Sequence, residues 1–148
     1  MGSLTLPASG LVYVETPALI YSVERHPIYS SLLDPFWQSA LNGQMIPVSS
    51  ELIISEVLVI PIRLGDNGLK SLYESALFQA DLRLLPITQA VLRKAAALRA
   101  AIPGLRTPDA IHAATALLAS CTLFLTNDTG FRRVPGLPLT ILDEVLTS

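Results

Sequence analysis

Short apolar runs alternate along the chain with longer stretches whose apolar residues recur every three or four positions, a pattern that predicts strands separated by helices. Leu11-Val12-Tyr13-Val14 predicts a buried strand. Thr16-Pro17 then predicts a helix N-cap and first helical residue, in a helix carrying Leu19, Ile20 and Val23. Leu33, Trp37 and Leu41, at i, i+4 and i+8, predict one face of a helix over 30–41 that Gly43 ends. Met45-Ile46-Pro47-Val48 predicts a short strand, with Ser49 or Ser50 capping a helix toward Pro61. The stretch 52–60 fits a helix or a strand, and periodicity does not choose between them. A helix over 66–81 would turn Leu69, Leu72, Tyr73, Ala76 and Leu77 inward. A strand over 84–87 follows, and then Thr88 caps a helix whose Val91, Ala95, Leu98 and Ile102 keep helical spacing. Thr107-Pro108 repeats the Thr16-Pro17 start in a helix reaching Ser120. A strand over 122–126, an irregular stretch over 127–136 and a strand over 139–142 complete the pattern.

Strands separated by helices throughout imply an α/β fold with a mostly parallel sheet of about five strands covered on both faces, and such sheets bind ligands at the carboxyl ends of their strands. A length of 148 residues suits one hydrophobic core, so a single domain over 1–148 with a core over 11–142 is expected. Hydrophobic residues make up 51% of the chain and charged residues 15%, which argues against disorder. No apolar run reaches the roughly 18–20 residues a membrane span needs, and Met1 to Gly10 lacks the pattern of an export signal. Cys121 is the only cysteine, which leaves no internal disulfide and no cysteine-built zinc site and fits a reducing cytoplasm. The net charge of −2 excludes an overall basic field, so any nucleic acid has to be held by local contacts.

Four of the twelve acidic residues stand in apolar company. Glu15 follows the first strand directly, Asp128 follows the strand over 122–126, Asp109 opens a helix that carries no other formal charge, and Glu56 is embedded in the apolar stretch 52–60. In a doubly wound sheet these four can converge at one end. Carboxylates within about 4–6 Å of each other raise one another's pKa unless a cation neutralises them. Oxygen-only ligation suits magnesium or manganese, and one or two such ions can activate water for phosphodiester hydrolysis. Each acid alone has a structural reading: Asp109 in a helix's first turn, Asp128 in a turn, Glu15 at a strand end, Glu56 paired with an arginine such as Arg63. His112 reads first as a hydrogen-bonded core histidine and second as a group beside the ion, and His26 as solvated. Arg106, Arg132 and Arg133 flank the acidic segments and are candidates for RNA phosphate contacts.

Thr107-Pro108-Asp109-Ala110-Ile111-His112-Ala113-Ala114-Thr115-Ala116, followed by Leu125-Thr126-Asn127-Asp128 and Phe131-Arg132-Arg133, resembles the corresponding segments of PIN-domain ribonucleases of the VapC-like toxin kind. Val14-Glu15-Thr16-Pro17 resembles the family's opening strand and turn, and Ser55-Glu56-Val57-Leu58 its acidic helix. The resemblance implies a three-layer α/β/α fold with 52–60 helical. It also implies Mg2+ (or Mn2+) held by Glu15, Glu56, Asp109 and Asp128, with Thr16, Thr126 and Asn127 supporting them. It further implies an RNA substrate, a cognate antitoxin and a homodimer. The family opens with Asp, a small polar residue and usually Asn, where this chain has Glu15-Thr16-Pro17. Proline removes a side chain able to hydrogen-bond the acid, and losses of that kind typically cost roughly 10- to 100-fold in affinity or activity. Two alternatives therefore stand beside the ribonuclease: a catalytically impaired PIN-fold module that binds a partner or dimerises, and a phosphoacceptor receiver domain. The latter needs a late lysine, and none follows Lys94.

Overall fold

A computed structural model describes residues 2–148; Met1, the first residue of the expected domain span, lies outside the described residues. Strands β1 (Leu11–Val14), β2 (Ile46–Ser50), β3 (Arg83–Leu85), β4 (Leu123–Thr126) and β5 (Leu139–Ile141) form one sheet in the order β3-β2-β1-β4-β5. Every neighbouring pair is parallel. Parallel neighbours need crossover connections, and helices supply most of them. α1 (Thr16–Val23) and α2 (Tyr29–Leu41) link β1 to β2, α3 (Leu52–Leu64) and α4 (Asn67–Phe78) link β2 to β3, and α5 (Gln89–Ala101) and α6 (Thr107–Leu118) link β3 to β4. A 3-10 turn, Thr129–Arg133, leads to β5, and α7 (Leu142–Thr147) follows it.

Alternation along the strands divides the core into two layers. Val12, Val14 and Leu125 pack with α1, α2, α3 and α4 on one face. On the other, Tyr13, Val48 and Phe124 pack with α5 and α6. The register pairs Tyr13 with both Val48 and Phe124, so one row of side chains crosses the centre of the sheet. The rings of Tyr13 and Phe124 stack with centroids 4.8 Å apart and planes within 1° of parallel. The architecture is the expected three-layer α/β/α arrangement.

The stretch 52–60 is helical, within α3: Ile53, Val57 and Pro61 are buried while Ser55 and Val59 between them are exposed, whereas a strand's period of two would put all five on one face. Gly65, left-handed at φ 65°, ends it. Several boundaries differ from expectation. Glu15 rather than Thr16 is the N-cap of α1, and Arg106 rather than Thr107 that of α6; each proline therefore sits one place further in, at a position where its missing N–H still breaks no intrahelical bond. In α2 the buried line is Leu32, Leu33, Phe36 and Ala40, while Leu41 is 69% exposed. Two steps of four residues turn a helix about 80° beyond a straight row, which carries Leu41 off the face that Leu33 shares. Leu72 is likewise exposed, Tyr73 and Leu77 taking the inner line of α4. His26 is not simply solvated: its Nδ1 accepts from the N–H of Ile28 at 3.1 Å at the start of α2. The last strand stops at Ile141, where α7 begins.

Leu33→Ala should cost about 2–5 kcal/mol in urea unfolding, as buried leucines do, whereas Leu41→Ala should stay within about 0.5 kcal/mol of wild type. Equal losses would place the α2 face elsewhere.

Candidate functional site

β1 and β4 are adjacent at the centre of the sheet, yet the chain leaves β1 toward β2 and β3 and returns to β4 on β1's other side. Their carboxyl ends flank the point where strand order reverses, the place where open α/β sheets bind ligands. Glu15 is the residue after β1 and Asp128 lies two residues after β4. The Glu15 N–H continues the ladder to the Leu125 carbonyl at 3.0 Å. Its side chain is nevertheless buried, at 5% exposure. Thr126 Oγ1 donates to Glu15 Oε2 at 2.7 Å and accepts from the Asp128 N–H at 3.1 Å, so one hydroxyl ties the two strand ends together. Asp128 Oδ1 accepts from the Gly130 N–H at 2.8 Å, capping the 3-10 turn.

The other two acids come from helices in opposite layers. Glu56, on α3, accepts at Oε1 from Thr16 Oγ1 at 2.9 Å and meets His112 Nε2 at 2.5 Å. Its partner is thus a histidine and a threonine, not Arg63. His112, on α6, is fully buried, and its Nδ1 lies 2.5 Å from the Tyr13 hydroxyl. Asp109, one helical turn before His112, pairs loosely with Arg106 at 3.6 Å. Sequence reasoning passed over Tyr13. The available signal was that a polar group inside a fully apolar strand has to find a partner when buried.

Charge links the acids in pairs, Glu56 and Asp109 acting on Glu15 and Asp128 on Asp109. Burial pushes the Glu15 carboxyl up to about 7, with Glu56 and Asp109 adding to the rise and the Thr126 hydrogen bond opposing it. Burial also raises Asp109; Asp128 reinforces that shift, and Arg106 offsets it in part. Glu56 moves the other way: burial would raise it, but the hydrogen bonds of His112 and Thr16, with the charge of Arg106, hold it below the usual range.

The remaining candidates divide. Thr16 and Thr126 touch the acids directly. Asn127 turns away, donating to the Tyr21 hydroxyl at 3.3 Å and accepting from the Asp143 N–H at 2.9 Å. Arg106 stays beside Asp109 with its side chain 77% exposed. Arg132 pairs with Glu144, and Arg133 donates to the carbonyls of Gly130 and Pro103 at 3.1 and 2.9 Å, so both brace the β4–β5 connection.

Among the described residues, no three His, Cys, Asp or Glu side chains stand close enough together to enclose an ion. Zinc, which takes a closed set of protein ligands in structural sites, does not suit such an arrangement. Magnesium does, because it keeps several waters and is usually bound through one or two carboxylates, and the donor set here is oxygen-rich.

A family model described as a PIN domain matches residues 12–137. No curated protein sequence matches the chain. Among solved structures, the chain is similar to VapBC2 from Rickettsia felis bound to a DNA fragment from their promoter, at TM-score 0.67 and 15% identity, covering 88% of this chain and 98% of that one. A toxin–antitoxin complex from Klebsiella pneumoniae gives TM-score 0.64 and 22% identity over 88% and 97% of the two chains. FitAcB from Neisseria gonorrhoeae gives 0.67 and 18% over 88% and 97%.

The raised Glu15 pKa has a consequence for stability. A folded state that binds this proton more tightly than the unfolded chain gains stability at low pH and loses it as pH climbs from 4.5 through about 7. Glu15→Gln cannot ionise, so urea unfolding in chelator should show the variant gaining on wild type across that window. Parallel pH profiles would mean that Glu15 is not buried as described.

Proposed function

We propose that this chain, which belongs to the PIN-domain family, is a magnesium-dependent endoribonuclease and the toxin half of a toxin–antitoxin pair. What supports this reading is the place of Glu15 and Asp128 at neighbouring strand ends beside the switch point of a parallel sheet, with the charges of Glu56 and Asp109 acting on Glu15 and that of Asp128 on Asp109. Glu56 and Asp109, reaching in from opposite helical layers, and Glu15 and Asp128, at neighbouring strand ends, would hold Mg2+ or Mn2+. When bound, such an ion activates water and stabilises the charge that develops on phosphorus-bound oxygen.

This chain's own residues supply placement. Thr126 fixes one oxygen of Glu15, and Thr16 with His112 fixes one oxygen of Glu56, so each acid would have its second oxygen to offer an ion. Arg106, exposed beside Asp109, is the cation best placed to meet an RNA phosphate. With no overall basic field, RNA recognition rests on such local contacts and on shape.

Partnership with an antitoxin draws support from structural neighbours that are toxin–antitoxin complexes and from apolar side chains standing in the open on α3, namely Val59, Ile60, Ile62 and Leu64. The homodimer and the cytoplasmic setting belong to the same reading. No helix among the described residues is long and apolar enough to cross a membrane. A second reading, a catalytically impaired PIN-fold module, is favoured by Pro17 and by the burial of the longer Glu15 carboxylate.

Asp109→Asn should bring RNA cleavage down to the background of an enzyme-free control and abolish growth arrest on expression. Cleavage retained by a contaminant-free Asp109→Asn preparation would refute the ribonuclease. Calorimetry with Mg2+ separates the two readings: binding that Glu15→Asp barely changes speaks for a working site, and no binding by wild type for the impaired module.

A further inference from the structure

We propose that Tyr13 and His112 form a positioning relay for Glu56: the Tyr13 hydroxyl fixes which imidazole nitrogen carries the proton, and that nitrogen fixes which Glu56 oxygen is left to face a cation. The relay rests on the reading of Glu56 as a divalent-ion ligand.

The argument begins with the buried ends of the relay. Tyr13 is fully buried, its ring clamped against Phe124, and its hydroxyl already accepts from the Ser50 N–H at 3.1 Å. Its own proton therefore needs an acceptor, since a buried hydroxyl left unpaired is costly. His112 Nδ1, 2.5 Å away, is that acceptor. A neutral imidazole has one donor and one acceptor nitrogen, so accepting at Nδ1 places the proton on Nε2. Nε2 is the nitrogen that faces Glu56 Oε1 at 2.5 Å, and an ionised carboxylate can only accept. Every donor along the line Ser50, Tyr13, His112, Glu56 then meets an acceptor.

Thr16 Oγ1 donates to the same Oε1 at 2.9 Å. Two donors converging on one oxygen select the other, Oε2, as the ligand atom. The hydroxyl is free to do this because Glu15, not Thr16, holds the N-cap of α1. His112 is fully buried and touches neither solvent nor substrate, which makes it a positioning residue. Groups that orient a ligand in this way typically govern metal affinity by roughly 10- to 100-fold.

The test uses the full chain. Long-range 15N correlation spectra of ion-free wild type should show His112 protonated at Nε2 with a bare Nδ1; a protonated Nδ1 overturns the relay, and this measurement needs no variant to fold. Mn2+ titrations of wild type, Tyr13→Phe, His112→Leu and His112→Gln then read out positioning without any activity assay. Tyr13→Phe and His112→Leu should weaken Mn2+ binding by roughly 10-fold or more, while His112→Gln, which keeps a donor, should recover most of it. Loss that is equal for Leu and Gln would reduce His112 to packing and overturn the relay. Wild-type uptake that Tyr13→Phe leaves unchanged sinks the relay alone, whereas a wild type that takes up no Mn2+ sinks the ion-site reading and the relay with it.

Discussion

The Glu15 carboxylate, 5% exposed at the end of the central strand, is held chiefly by the hydroxyl of Thr126 and has no arginine or lysine against it. An acid buried in this way is expensive unless something else shares its charge, and the charges of Glu56 and Asp109 raise that cost. Neutral donors hold three of the four carboxylates in fixed orientations: Thr126 for Glu15, Thr16 with the His112 ring for Glu56, and the Gly130 N–H for Asp128. Orientation without neutralisation is what a cation-binding site requires, because a pre-paired acid has to be released before it can ligate.

The fold makes this meeting possible. A carboxylate at the end of β1 and another after β4 are neighbours only because those strands pair across the reversal in strand order. Glu56 and Asp109 belong to helices that pack on opposite faces of the sheet, and α3 reaches α6 where Glu56 meets His112. His112 couples the layers directly, joining α6 to the sheet through Tyr13 and to α3 through Glu56. Packing of the central row Val48, Tyr13 and Phe124 is thereby linked to the geometry of the site.

Much of this was legible in the residues. Strand–helix alternation identified all five strands and the parallel sheet, because buried strands and amphipathic helices leave distinct periods. The four acids stood out because charge inside apolar runs needs a reason. Two kinds of feature were hidden. Helix caps shifted by one residue at Glu15 and Arg106, since Thr-Pro pairs fit a helix start at either of two registers. The link from Tyr13 to Glu56 spans β1, α6 and α3, and a contact between residues 99 positions apart leaves no local pattern. The arginines after Phe131 are near Asp128 in sequence, and the structure gives them other partners: Arg132 pairs with Glu144, and Arg133 donates to Gly130 and Pro103.

Structural neighbours at 15–22% identity share the fold over nearly their whole length. In this chain's opening, Glu15-Thr16-Pro17, the acid is buried and the threonine serves Glu56. The central claim is that these side chains converge on one cation. The most direct measurement is the anomalous scattering of crystals soaked in Mn2+: a single strong peak among Glu15, Glu56, Asp109 and Asp128 is the predicted result. A peak elsewhere, or none at these acids at saturating Mn2+, would contradict the account.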